Sequence, residues 1–136
     1  MAFYTDSEQL YGSMRLLFAL VEQDEPGAAD AILASRLVIR LRCTAPEAEF
    51  TINGRRRPVQ VVFGPDSARP TLDIDLAADT LHDILLGQLS LRTALGNGLL
   101  SVRGPALKAM ALAELFRRGQ VIYPDVLRER GLVAQE

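Results

Sequence analysis

The sequence predicts an α+β domain, a five-stranded and mainly antiparallel sheet covered by helices. Three observations carry that expectation. Strand-length segments alternate apolar and polar residues at 37–43, 49–52, 58–63, 71–77 and 99–103. Longer segments at 7–22 and 105–119 repeat apolar residues at helical spacing. Turn chemistry punctuates them, at Pro46, Asn53-Gly54, Gly87, Gly96-Asn97-Gly98 and Gly104-Pro105.

Leu10, Met14, Leu17 and Val21, with Tyr11 and Phe18 beside them, predict an amphipathic helix over 7–22, which Pro26 and Gly27 break. Residues 28–35 predict another turn or two of helix. Leu37, Ile39, Leu41 and Cys43 then share one face of a strand. Beyond Pro46, residues 49–52 pair through Asn53-Gly54, a strong hairpin signal, with residues 58–63. Leu72, Ile74 and Leu76 alternate with Thr71, Asp73 and Asp75, so the next strand has one aliphatic and one polar face.

Asp79 or Thr80 is placed to cap a helix whose Leu81, Ile84 and Leu85 fall on one side, and Gly87 is placed to end it. Ser90 is placed to cap a second short helix that Gly96-Asn97-Gly98 terminates. Leu100 and Val102 define the last strand. Pro105 suits the first turn of a final helix, where its missing N–H is not needed. That helix carries Leu107, Met110, Ala111, Leu112, Leu115 and Phe116, with Arg117 and Arg118 at the cation-favouring end and Gly119 expected to stop it.

At 136 residues the chain has room for one hydrophobic core. Hydrophobic residues make up 49% and charged residues 24%, a globular balance rather than a disordered one. A net charge of -2 leaves no electrostatic footprint for nucleic acid. No apolar run approaches the roughly 20 residues of a membrane span. The first residues lack the basic region of a secretory signal. The single cysteine, Cys43, has no internal disulfide partner, which points to a reducing, cytoplasmic compartment.

No catalytic or metal-binding constellation emerges, and no pattern calls for a cofactor. His82, the one histidine, has no metal-ligand spacing around it and reads as a partly exposed residue of a short helix. Cys43 reads as a small buried hydrophobe with an inert thiol. Asp73 and Asp75 share a strand face and read as an exposed polar surface rather than an acid/base pair. Arg55, Arg56 and Arg57 read as a solvated strand end, with transient contact to anionic lipid headgroups as the alternative.

The ordered series Gly87-Gln88-Leu89, Ala94-Leu95 and Gly98-Leu99-Leu100-Ser101-Val102-Arg103-Gly104 resembles the sterol carrier protein 2 (SCP2) family. Members of that family show a short helix ending in Gly, an Ala-Phe/Leu pair, and a Gly-x-Leu-x-Ile/Val-x-Gly strand leading into a final helix. The resemblance covers about residues 36–118 and departs in the first strand, where Leu37, Val38 and Ile39 replace the family's Gly and aromatics. It implies three segments: an N-terminal amphipathic helix and linker (1–30), an SCP2-like lipid-binding domain (31–119) and a C-terminal extension (120–136). The C-terminal Val133-Ala134-Gln135-Glu136 is not the Ser-Lys-Leu tail of peroxisomal members.

The resemblance also implies non-catalytic binding or transfer of a fatty acid, acyl-CoA, sterol or similar lipid in a hydrophobic tunnel. The residues nominated to line it are Leu81, Leu85, Leu89, Leu100, Val102, Met110, Leu112, Leu115 and Phe116, and ordinary core packing needs apolar residues at the same positions. The implied partner is an apolar small molecule; the alternative reading, motivated by the apolar first helix and the tail from Val121-Ile122-Tyr123-Pro124 to Leu132, is an interaction module that presents a hydrophobic intermediate to a partner enzyme, with a homodimer left open. A cavity-based isomerase or cyclase is the third reading.

Overall fold

The computed structural model describes residues 2–133. The residues weighed above as targeting signals at Met1 and at 134–136 lie outside them. The chain runs α1 (Ser7–Asp24), a 3-10 turn (Pro26–Ala29), α2 (Asp30–Ala34), β1 (Val38–Thr44), β2 (Ala48–Asn53), β3 (Gln60–Phe63), β4 (Leu72–Ala77), α3 (Ala78–Leu85), α4 (Leu91–Gly96), β5 (Ser101–Arg103), a 3-10 helix (Ala106–Leu112) and α5 (Ala113–Glu129).

The five strands form one sheet in the order β3-β2-β1-β4-β5. Every neighbouring pair is antiparallel except β1 and β4, which run parallel, so the sheet is mixed and mostly antiparallel. The register aligns Phe63, Phe50, Leu41, Ile74 and Val102 across all five strands, and Ile52, Ile39 and Leu72 in the next apolar row. The period-2 alternation therefore sends one aliphatic face to the helices and one polar face away from them. The helices bury Leu10, Met14, Leu17, Leu81, Leu85, Leu115, Phe116, Tyr123 and Val126 against the aliphatic face in one continuous core.

Local signals set several boundaries as expected. Ser90 Oγ accepts the Thr93 N–H and caps α4. Gly87, at φ 78°, follows the last turn of α3, with its N–H on Ile84 O and the Gln88 N–H on Asp83 O. That left-handed position favours glycine and satisfies two terminal carbonyls. Three expectations need correction. The α3 N-cap is Ala77 without a side-chain bond, because the Asp79 carboxylate accepts the backbone N–H of Phe3 instead.

The β2–β3 hairpin forms as expected, but Asn53-Gly54 does not by itself make its turn. The β2–β3 connection runs from 54 to 59, and Gly54 lies where chains meet, its N–H on Leu37 O. A Cβ there would stand 2.8 Å from the Ile32 carbonyl oxygen, so glycine is required by close approach to α2. The final helix does not stop at Gly119 either. It continues through Pro124 to Glu129 and ends at Gly131, φ 70°. Gly119 instead lets α5 lie close to its neighbours: an added Cβ would be 3.3 Å from Leu85 Cδ2 and 3.7 Å from Leu17 Cδ2. Burying Tyr123, Val126 and Leu127 offsets the helix cost of an internal Gly and Pro, about 1 and 3 kcal/mol.

Candidate functional site

A cleft of about 660 Å³ lies between α1, the α1–α2 connection and the edge strand β3. Helix α1 explains one wall. Its residues Leu10, Met14, Leu17 and Val21 face the core, while Arg15, Phe18, Ala19 and Glu22, spaced i, i+3, i+4 and i+7, form a neighbouring stripe along the cleft. The opposite wall is β3 and the residues before it. Val59, Val61 and Phe63 stay only half-buried there because β3 is the sheet edge. Ile52 and Leu115 lie at the base, and Ala28 and Leu33 close the α2 side.

Aromatic rings organise one end. Phe18, Phe50 and Phe63 form a triangle with centroid separations of 5.7, 6.3 and 5.8 Å. The Arg15 guanidinium lies 5.2 Å from the Phe63 centroid and 5.7 Å from that of Tyr11, spanning α1 and β3 with a cation held over two rings. Near the other end, Arg118 of α5 reaches Asp24 at 2.7 Å and Glu25 at 2.6 Å, tying down the end of α1 where the cleft wall turns. The lining is thus an apolar trough with charged groups, Arg15, Glu22, Asp30 and Arg57, along its rim.

Of the residues nominated from sequence, Leu115 lines this cleft. Leu81, Leu85, Leu100, Leu112 and Phe116 are buried core residues, and Leu89, Val102 and Met110 are half-buried against that core. The structure brings them together as the packed layer between α3, α5 and the sheet. Arg55, Arg56 and Arg57 are exposed on the β2–β3 connection, with Arg57 at the cleft rim.

Two polar arrangements went unread in the sequence. On the polar face, Arg40 holds Asp73 with bonds of 3.1 and 2.5 Å, Arg103 reaches both aspartates, and Arg42 bonds Asp75 at 3.0 Å. The Arg40 hydrogen bonds hold the Asp73 carboxyl down at about 2, against burial that pushes it up, and Arg103 adds to the lowering. Asp73 is accordingly a buried, ion-paired residue rather than an exposed one.

The second is inside the helical layer. The Tyr123 hydroxyl stands 2.7 Å from His82 Nδ1 and 2.5 Å from the Tyr4 hydroxyl, while the Phe3 ring stacks on the imidazole at 3.8 Å. His82 is therefore buried, not the partly exposed residue its short helix suggested. Burial pulls the imidazole below its ordinary value, although Asp83 and Asp79 favour the cation. Burial likewise pushes both phenols up. Cys43 is buried as expected, and burial pushes its thiol up to about 12. Among the described residues, no group of three or more His, Cys, Asp or Glu side chains could hold a metal ion. No helix among them is long and apolar enough to cross a membrane.

The family model described as the SCP-2 sterol transfer family matches residues 17–117. The chain belongs to the SCP-2 sterol transfer family. Solved SCP2 structures share its fold. The sterol carrier protein domain 2 of Helicoverpa armigera superposes with a TM-score of 0.64 at 19% identity, over 83% of this chain and 89% of that one. The apo form of sterol carrier protein 2 from Yarrowia lipolytica gives 0.61 at 16% identity, over 84% and 91%. A protein described as UbiJ-SCP2, a ubiquinone synthesis protein, gives 0.58 at 16% identity, over 84% and 92%. A comparison with curated protein sequences finds no match. In this SCP-2 domain the cleft lies between the first helix and the sheet edge, apart from the residues that carried the sequence resemblance.

Proposed function

We propose that this SCP-2 domain binds and transfers a lipid-like molecule, a fatty acid, acyl-CoA, sterol or similar amphiphile, without transforming it. The observation that carries this reading is the apolar trough of about 660 Å³ lined by Phe18, Ile52, Val61, Phe63 and Leu115. Its size falls in the roughly 300–1,000 Å³ range of small-molecule sites. Each methylene moved from water into such a trough contributes about 0.8 kcal/mol, so an acyl chain offsets its own ordering cost within a few carbons. The charged rim suits an amphiphile whose polar end stays at the surface. Leu115 is the nominated residue that contacts the ligand, and the other eight form the packed layer that holds the cleft walls.

Delipidated protein incubated with a mixture of fatty acids, acyl-CoAs and sterols and examined by native mass spectrometry should retain one bound lipid per chain. Absence of an adduct from every class would overturn the reading. A second reading, presentation of a hydrophobic intermediate to a partner enzyme, is favoured by two exposed apolar side chains, Leu107 at 85% and Val121 at 61%. The fold likeness to a ubiquinone synthesis protein is consistent with it. Leu107→Asp would then abolish partner capture while lipid retention is unchanged.

A further inference from the structure

We infer that residues 2–6 form a latch whose release is governed by protonation of His82, acting through the hydrogen-bond chain from His82 through Tyr123 to Tyr4. This segment lies in no helix or strand. Contacts on two helices hold it: the Phe3 N–H on Asp79 Oδ1 at 2.9 Å, the Phe3 ring stacked on His82 at 3.8 Å, the Tyr4 ring edge-on to His82 at 6.0 Å, and the Tyr4 hydroxyl 2.5 Å from that of Tyr123. The segment leads directly into α1, whose first turn Asp6 caps by accepting the Gln9 N–H at 2.8 Å. Helix α1 is thus pinned to α5 at both ends, by Tyr4 on Tyr123 at one and by Asp24 and Glu25 on Arg118 at the other.

With the imidazole neutral and its proton on Nε2, Tyr123 donates to Nδ1 and Tyr4 donates to Tyr123. Protonation turns Nδ1 into a donor, so the Tyr123 proton must turn towards Tyr4 and the Tyr4 proton away from it, towards the buried Ser13 hydroxyl of α1; the chain reverses direction, and what opposes the closed state is the burial of the charge. The titratable and charged groups facing this cluster are Asp79 and Asp83 on α3, which favour the cation, Arg130 at the end of α5, which acts on Tyr4, and the buried Cys43 thiol of β1, also beside Tyr4. Burial outweighs the two carboxylates, and the imidazole sits below its ordinary value of 6.5. The irregular segment over His82 is the layer whose displacement, with fraying of the first turn of α1 that Asp6 caps, hydrates the imidazolium without disturbing the sheet.

An imidazole with a lower pKa in the closed state than in the open one opposes opening above its ordinary value and favours it as pH falls through the closed-state value. The open-to-closed ratio should therefore rise by up to about tenfold per pH unit in that window and level off below it.

Amide hydrogen exchange, expressed as protection factors to remove the intrinsic pH dependence, tests this on the full chain between about pH 7.5 and about pH 5. Protection across residues 3–10 should fall in the wild type while β1 and β4 keep theirs, and should stay level in His82→Gln. A pH-independent segment in the wild type, or the same fall in His82→Gln, overturns the latch. Because the chain has a single histidine, its imidazole proton signals can be followed by NMR without any variant. Titration below the ordinary value together with loss of segment protection supports the proposal; titration at the ordinary value overturns it.

Discussion

The hydroxyls of Tyr4 and Tyr123 stand 2.5 Å apart across 119 residues of chain, joining the segment before the first helix to the last helix. Tyr123 also serves His82 at 2.7 Å, so one hydroxyl satisfies two buried partners. Tyr123→Phe leaves both without it and should cost about 2–4 kcal/mol, whereas Tyr4→Phe, which removes the chain's end, should cost nearer 1 kcal/mol. Urea midpoints at neutral pH check this, with the slope unchanged if the denatured state is unaffected.

The polar face makes stability acid-sensitive in a defined window. Asp73 sits at about 2 because Arg40 is hydrogen-bonded to it, below its ordinary value of 3.8. A carboxylate whose folded value is depressed contributes stability above its unfolded value and loses it as pH falls through the folded one. The Asp73 contribution should therefore be whole above about pH 4.5 and decline towards pH 2. Asp73→Asn should cost about 2–3 kcal/mol at neutral pH, because it leaves Arg40 partly buried without its charge partner. The same variant should flatten the decline in urea midpoint on acidification.

Cys43 is 3% exposed and its thiol is pushed up to about 12 by burial. A thiol reagent at neutral pH should leave the native chain unlabelled and modify it fully in denaturant. Rapid native labelling would mean that the end of β1 opens.

Gly54 can be tested by a single methyl. An added Cβ would lie 2.8 Å from both Ile32 Cγ2 and the Ile32 carbonyl oxygen and 3.0 Å from Leu37 O. Two of these neighbours are backbone and cannot swing aside, so Gly54→Ala should destabilise by about 1–3 kcal/mol in thermal or urea unfolding.

The contrast between these residues shows which features a sequence carries locally. Strand alternation, the Ser90 cap and the Gly87 helix end depend on a few neighbouring residues, and all were legible. The role of Gly54 was misread because a tight turn and a close approach demand the same residue. Gly119 looked like a stop because its partners, Leu17 and Leu85, lie in other helices. His82 looked half-exposed because the groups that bury it, Phe3 and Tyr123, come from opposite ends of the chain. The cleft had one legible trace, the second stripe of α1 with Phe18 beside Leu17. Its volume depends on how far the edge strand stands from that helix, which no periodicity encodes.

Two substitutions separate the cleft from the core as the seat of the ligand. Ala19 is exposed on the cleft side of α1, so Ala19→Trp should fill the trough, keep stability within about 0.5 kcal/mol and weaken lipid binding by about tenfold or more. Leu85 is 1% exposed beneath α5, so Leu85→Ala should cost about 2–5 kcal/mol of stability and leave lipid affinity nearly unchanged. Denaturant titrations and fluorescent-lipid displacement on the same preparations give both quantities. If instead Leu85→Ala abolishes binding while Ala19→Trp does not, the ligand lies between α5 and the sheet. The residues nominated from sequence would then be its lining rather than its support.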